Sequence, residues 1–256
     1  MLTPSRGRAR IGVLVPYTNV NLEADLAMLQ PEGVSLHVAR LGGYDIDAVP
    51  DSGQMAQMGE APLDEPLRLL AGARPDVILY GCTSATLTHG PAFDQKLAGR
   101  IETAAGAVTV TAAGALVYAL GAFGVSRIGF ASPYVAEIND QAISFLLDAG
   151  IETVSRADIG VALGNYGQGE LTPNEVFELG QRADSADAEA IVLSCTDMRS
   201  VETIERLEEA LGKPVISSNQ AMLFAALQAL DIDAHTVNCG RLFKCESAGP
   251  GYSKQA

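Results

Sequence analysis

Two cysteines stand where α/β proteins commonly do chemistry. Cys82 lies in the run 77–85, Val-Ile-Leu-Tyr-Gly-Cys-Thr-Ser-Ala, where a short apolar stretch breaks off into small polar residues. The stretch reads as a buried strand, and Gly81-Cys82-Thr83-Ser84 as the turn or helix start beyond its carboxyl end. Cys195 repeats the arrangement within 191–198, Ile-Val-Leu-Ser-Cys-Thr-Asp-Met. In open α/β sheets ligands bind outside the carboxyl ends of strands, where backbone N–H groups converge. A lone strand-end cysteine is ordinarily a small buried hydrophobe. A matching pair, each followed by threonine, is harder to explain as packing.

Two thiols facing each other across a small carbon acid allow one to take a proton while the other delivers one to the opposite face. That is racemase or isomerase chemistry without metal or cofactor. A thiolate can also add to an activated double bond. Cys82 is followed by Thr83 and Ser84, with no carboxylate close in sequence, so N–H and hydroxyl donors are expected to favour its thiolate. Asp197, two residues after Cys195, is expected to keep that thiol neutral. Cys82 is therefore read as nucleophile or base and Cys195 as proton donor.

The elements that position these thiols occur twice. Residues 10–16 form a strand ended by proline, followed by the loop Tyr17-Thr18-Asn19-Val20-Asn21 and a helix over 22–29. Arg127-Ile128-Gly129-Phe130-Ala131-Ser132-Pro133-Tyr134 echoes Arg10-Ile11-Gly12-Val13-Leu14-Val15-Pro16-Tyr17 at an offset of 117, and the cysteines are offset by 113. Pro214-Val215-Ile216-Ser217-Ser218, ahead of an apolar helix, echoes the strand at 108. Three landmarks in one order at nearly one offset indicate a duplicated half. The expected architecture is α/β: two doubly wound lobes with parallel sheets, related by a pseudo-twofold axis, with the active site in the cleft between them. The lobes are placed at 10–125, carrying Cys82, and 126–245, carrying Cys195.

Between the landmarks, strands are expected at 34–40, 107–111 and 152–159. Helices are expected at 63–73, 90–105, 112–123, 137–149, 171–184, 201–211 and 221–230. Thr172-Pro173-Asn174-Glu175 has capping-box spacing with proline at the first helical position. The Gly-, Asp-, Pro- and Met-rich stretch 41–64 reads as a long loop or lid with one short helix. Asn165 sits in the glycine-rich loop 160–169. Residues 1–9 read as a loose lead-in, 234–245 as a closing segment with a terminal strand, and 246–256 as a frayed tail.

Composition narrows the field. The 256 residues are 48% hydrophobic and 19% charged, the make-up of a globular chain. A net charge of −14 argues against a nucleic-acid surface, which needs clustered Lys and Arg. Four cysteines without framework spacing, and no signal peptide, point to a reducing cytoplasm. The uncharged stretch 103–126 is punctuated by glycine and built from small residues, so it reads as strand plus buried helix and not as a membrane span. His235, Cys239 and Cys245 match no common zinc spacing. His89, seven residues after Cys82, reads as solvated or capping. The glycines of 160–169 miss the dinucleotide fingerprint. No metal and no cofactor are expected.

Val15-Pro16-Tyr17-Thr18-Asn19, Gly81-Cys82-Thr83-Ser84, Ala131-Ser132-Pro133-Tyr134, Gly164-Asn165, Ser194-Cys195-Thr196 and Gly240-Arg241-Leu242 together resemble the aspartate/glutamate racemase superfamily. Within it the chain looks most like maleate cis-trans isomerases and arylmalonate decarboxylase-like proteins, from about residue 11 to 243. The resemblance implies that Cys82 adds to the double bond of maleate, that rotation follows in a succinyl-type adduct, and that elimination assisted by Cys195 gives fumarate. It also implies that Asn19 and Asn165 hold substrate carboxylates and that Tyr134 orients the substrate. Backbone N–H groups after each cysteine, with Thr83, Ser84 and Thr196, would line the site and stabilise enediolate charge. Asn19 reads equally well as a helix cap, and Tyr17 and Tyr134 occupy equivalent repeat positions. Arylmalonate decarboxylases keep only the second cysteine, so the presence of both favours isomerisation or racemisation. Rival readings are an isomerase of another small carboxylate, such as an ectoine-pathway metabolite, an arylmalonate-type decarboxylase, and a non-catalytic carboxylate sensor. A homodimer or higher homo-oligomer is the expected assembly.

Overall fold

The computed structural model describes residues 9–42 and 51–245, with Ser52 described by its backbone alone. The lead-in at 1–8, the tail at 246–256 and residues 43–50 of the long loop lie outside the described residues.

The first half runs β1 (Ala9–Pro16), α1 (Asn21–Leu29), β2 (Val34–Leu41), α2 (Ser52–Glu60), α3 (Asp64–Ala71), β3 (Val77–Tyr80), α4 (Thr83–Leu87), α5 (Pro91–Ala105), β4 (Val108–Thr111) and α6 (Ala112–Phe123). The second runs β5 (Arg127–Ala131), α7 (Ala136–Asp148), β6 (Glu152–Ala157), α8 (Gly167–Glu170), α9 (Pro173–Arg182), β7 (Ala190–Leu193), α10 (Ile204–Leu211), β8 (Val215–Ser217) and α11 (Ser218–Ala229). The sheets have the strand orders β2-β1-β3-β4 and β6-β5-β7-β8, all pairs parallel. The two sheets thus share one topology, as the repeated landmarks require.

Strands covered on both faces cannot alternate apolar with polar residues. This is why β3 and β7 are buried throughout, Val-Ile-Leu-Tyr in one and Ala-Ile-Val-Leu in the other. The uncharged stretch 103–126 resolves into the end of α5, β4 and α6. No helix among the described residues is long and apolar enough to cross a membrane. The small residues of α6 serve close packing: Ala112, Ala115, Leu116, Ala119 and Leu120 are buried, and Tyr118 stacks at 5.9 Å on Phe224 of α11. One continuous apolar core holds residues from both halves, including Leu120 and Phe224.

One expectation changes. The segment 234–245 forms 3-10 turns at Ala234–Thr236 and Leu242–Lys244 and not a terminal strand. Its backbone hydrogen bonds close locally, as from Val237 N–H to Ala234 O and from Cys245 N–H to Leu242 O. The stretch 41–64 carries a two-turn helix, α2, capped by Asp51, whose side chain accepts from Gln54 N–H.

Candidate active site

Doubly wound sheets bind ligands where the chain order reverses, between β1 and β3 in one sheet and β5 and β7 in the other. The four strands ending at those switch points lead into the motifs singled out above. β1 leads into Thr18 and Asn19, and β3 into Cys82 and Ser84. From the other half, β5 leads into Tyr134, and β7 into Cys195, Thr196 and Asp197.

All of these residues but Cys195 line one cavity of about 30 Å³, and Cys195 meets it through Tyr134. Its first wall is Pro16, Thr18, Asn19, Cys82 and Ser84; its second is Tyr134, Asn165, Gln168, Thr196 and Asp197; Met55 and Met58 of α2 cover it. That volume holds about two water molecules.

Close backbone approach brings the first wall into place. Leu22 of α1 packs onto Gly81, where a Cβ would stand 2.2 Å from Leu22 Cδ2, so only glycine lets the strand end under α1. Asn19 caps α1: its Oδ1 accepts from Asn21 N–H (3.1 Å) and Leu22 N–H (3.0 Å). Its Nδ2 donates to Thr196 Oγ1 at 3.0 Å, which leaves one amide hydrogen for a ligand. The capping role and a cavity-facing role therefore coexist.

Thr196 Oγ1 in turn donates to Gly81 O at 3.0 Å. Asp197 caps α1 from the opposite half, its Oδ1 accepting from Val20 N–H (3.0 Å), Asn21 N–H (3.1 Å) and Asn21 Nδ2 (3.1 Å). Asn21 Nδ2 also donates to Gly169 O, tying the Asn165–Gln168 loop to the same point. Gln168 donates to Asn165 O at 2.9 Å.

Hydroxyls link the two thiols. Cys82 Sγ lies 3.9 Å from Ser84 Oγ, Ser84 hydrogen-bonds Tyr134, and Tyr134 Oη lies 3.5 Å from Cys195 Sγ. Asp197 N–H donates to Cys195 Sγ at 3.3 Å. Of the two equivalent tyrosines, Tyr134 lines the cavity and contacts a cysteine. Thr83 is not among the lining residues, and its buried hydroxyl makes no hydrogen bond among the described residues.

Electrostatics correct one expectation. Burial pushes the Cys82 thiol up, against hydrogen bonds from Ala85 N–H and Ser84, so desolvation outweighs the donors that were expected to favour thiolate. Burial first, and then the charge of Asp197, push Cys195 up to about 12. Tyr134 is raised well above its ordinary value, chiefly by burial and then by the charge of Cys195. Both thiols and the phenol are therefore neutral at rest.

Other candidates lie elsewhere. His89 stacks on Phe93 at 3.9 Å and bonds Ala56 O at 2.8 Å, tying the loop before α5 to α2. His235 pairs with Asp233 on the surface, and Cys245 Sγ contacts Arg241 O. No cluster of three metal-binding side chains occurs among the described residues.

The sequence profile of the arylmalonate decarboxylase family matches residues 9–243. The chain belongs to the arylmalonate decarboxylase family. Among the proteins it resembles, the maleate isomerase of Geobacillus stearothermophilus is 27% identical over 91% of this chain and 96% of its own. The arylmalonate decarboxylase of Bordetella bronchiseptica is 28% identical over 85% and 89%. In structure, the chain resembles a cysteine-to-serine mutant of the Nocardia farcinica maleate cis-trans isomerase with a covalently bound succinylcysteine intermediate. The TM-score is 0.83, with 26% identity over 92% of this chain and 98% of that one. Maleate isomerases and arylmalonate decarboxylases thus share this family's two-lobed fold.

Gln168, Met55 and Met58 join the cavity without having stood out in the sequence. Gln168 lies three residues beyond Asn165, and the two methionines sit three apart on a helix whose packing direction no motif announces.

Proposed function

We propose that the protein is a cofactor-independent, two-cysteine isomerase of a small dicarboxylate, converting maleate to fumarate. The observation that carries this reading is the linkage of Cys82 and Cys195, one from each half, through Ser84 and Tyr134 at one cavity. The succinylcysteine trapped in the Nocardia farcinica relative supports a thioether adduct: it sits on a cysteine while another cysteine of that chain is serine.

Cys82 gives its proton to solvent, and its sulfur bonds one alkene carbon. The π electron pair moves to the neighbouring carbon and into its carboxylate as an enediolate, and Cys195 protonates that carbon. Rotation about the new single bond follows. The Cys195 thiolate then takes a proton back, the C–S bond breaks with its electron pair going to sulfur, fumarate leaves, and the Cys82 thiolate takes a proton from solvent to return to the resting thiol. Ionising a buried thiol belongs to the barrier of the first step, because burial raises Cys82. Asn19 and Asn165 hold the carboxylates, Ser84, Thr196 and backbone N–H groups receive the enediolate charge, and Tyr134 aligns Cys195.

Lobes at 10–125 and 126–245, a homodimeric assembly and a cytoplasmic setting complete the reading. The free thiols Cys82 and Cys195 fit a reducing compartment. Arylmalonate decarboxylation is the second reading, favoured by the family match; the presence of a thiol at Cys82 as well as Cys195 favours isomerisation.

Proton NMR of the protein with maleate in deuterated buffer tests this, with Cys82→Ser as control. Fumarate from the wild type alone is the expected result. No fumarate removes maleate as substrate, and deuterium exchange into racemisable acids or protonated product from arylmalonates then discriminates the rivals. Exchange in none of them leaves a binding protein.

A further inference from the structure

Asp197 is the anomaly of the cavity. It is 4% exposed and lines the same space as Cys82, Asn19 and Asn165, while among the described residues no Lys, Arg or His lines that space. Three donors converge on its Oδ1, but its buried Oδ2 has no hydrogen-bond partner among the described residues. Oδ2 is packed against Gly169, where a Cβ would come within 3.0 Å of it. A site for a dianion thus contains a carboxylate and no balancing cation.

The surrounding charges are engaged elsewhere. Arg40, on β2, is the cation that acts on Asp197 through space, yet its Nη1 donates to Asn19 O at 2.8 Å and its Nη2 pairs with Glu23 of α1. Arg199 is held by Glu202 at 2.8 Å. Asp25, also on α1, accepts from Asn219 of α11, and Glu170 of α8 is exposed. Among the described residues, Cys82 and Tyr134 at the cavity and Cys195 in contact with Tyr134 complete the titratable groups, and all three are already protonated at rest.

Resting on the dicarboxylate reading above, we propose that the site takes up one proton with its ligand and that Asp197 holds it. The other titratable groups at the cavity have no basic form left to fill, so Asp197 is the one among them that can gain a proton. The carboxylate becomes a neutral acid as the dianion enters, the proton coming from solvent, and the repulsion is removed without a cation. Burial agrees with this, since it pushes Asp197 up to about 6, near the range where such uptake matters.

The test is titration calorimetry with succinate, a saturated four-carbon dicarboxylate that cannot accept a thiolate. At pH 7.5, the dependence of heat on buffer ionisation enthalpy gives the protons bound. Uptake approaching one proton per site is expected for the wild type, with affinity falling about tenfold per pH unit above 6. Asp197→Asn keeps an oxygen acceptor for the α1 donors and is expected to bind with no uptake and a flat pH dependence. Wild-type binding without uptake overturns the proposal alone. Uptake that persists in Asp197→Asn puts the proton on the ligand or another group and also overturns it. Failure of both succinate and maleate to bind overturns the dicarboxylate reading and this proposal with it.

Discussion

The hydroxyl of Thr196 donates to the carbonyl of Gly81 at 3.0 Å, joining the residue after one cysteine to the residue before the other. The bond spans the two halves and also receives Asn19 Nδ2. Thr196→Val keeps the shape but leaves a buried carbonyl and a buried amide hydrogen unpaired. A stability loss of about 1–3 kcal/mol is expected. Thermal unfolding reads it, and kcat for maleate should fall with it as the thiols lose register.

Gly81→Ala acts on the same junction by volume. The new methyl would stand 2.2 Å from Leu22 Cδ2 and 3.1 Å from Leu14 O, so α1 must shift. A destabilisation of about 1–3 kcal/mol and a larger fractional loss of activity are expected. Denaturant unfolding together with kcat separates the two effects. Wild-type activity in a folded Gly81→Ala protein would contradict this account of how Cys82 is placed.

Replacing each cysteine distinguishes their roles. Cys82→Ser should abolish adduct formation, detected as the absence of a mass increase on the intact protein incubated with maleate. Cys195→Ser should retain the adduct while fumarate production falls roughly 10²–10⁴-fold, the range for loss of a general acid-base. Equal adduct in both variants would reverse or erase the assignment.

Asp197 also acts on its neighbour. After burial, its charge is the next cause that pushes the Cys195 thiol up to about 12. Asp197→Asn removes that charge and should lower the midpoint of the Cys195 thiolate band near 240 nm, measured in a Cys82→Ser background. An unchanged midpoint would leave burial as the whole cause.

Stability should depend on pH in an uncommon direction. Burial raises Asp25 to about 7, and Asp94 and Asp197 to about 6. A carboxyl with a folded value above its unfolded one binds its proton more tightly when folded. Stability from these groups is therefore gained as pH falls from 8 through 7 and 6, and it levels off below about 4. For Asp25 the gain is on the order of 4 kcal/mol. Exposed Glu65, Glu175 and Glu189 are lowered by hydrogen bonds to Arg68, Thr172 and the Ser126–Arg127 backbone, respectively, and oppose the trend at acid pH. Melting temperature should rise from pH 8 to about 5 and turn over below that, and Asp25→Asn should flatten the upper limb.

Much of this architecture was legible because it is written twice. Buried strands show as unbroken apolar runs, and duplication puts Arg10–Tyr17 and Arg127–Tyr134 in register, so both switch points could be located from one sequence. Helix limits such as Ala112–Phe123, and the Thr172–Glu175 capping box, follow from local hydrogen-bonding chemistry. What stayed hidden is what the two halves do to each other. Asn19 meets Thr196, and Asn21 meets Asp197, across more than 170 residues. The protonation of Cys82 is hidden for the same reason: nearby donors are visible in sequence, whereas desolvation is set by distant segments.

The shared core between α6 and α11 bears on how such a chain arose. A single half, expressed as residues 9–123, would lose the cover that α11 gives α6 and leave Tyr118 without Phe224. The nearest available cover for that face of α6 is the same face of a second copy, so the fragment should elute as a dimer in size-exclusion chromatography. An ancestor of one half would have built its site only at the seam of that dimer. Its two thiols would have been one gene position read twice, free to diverge into donor and nucleophile only after the copies were fused.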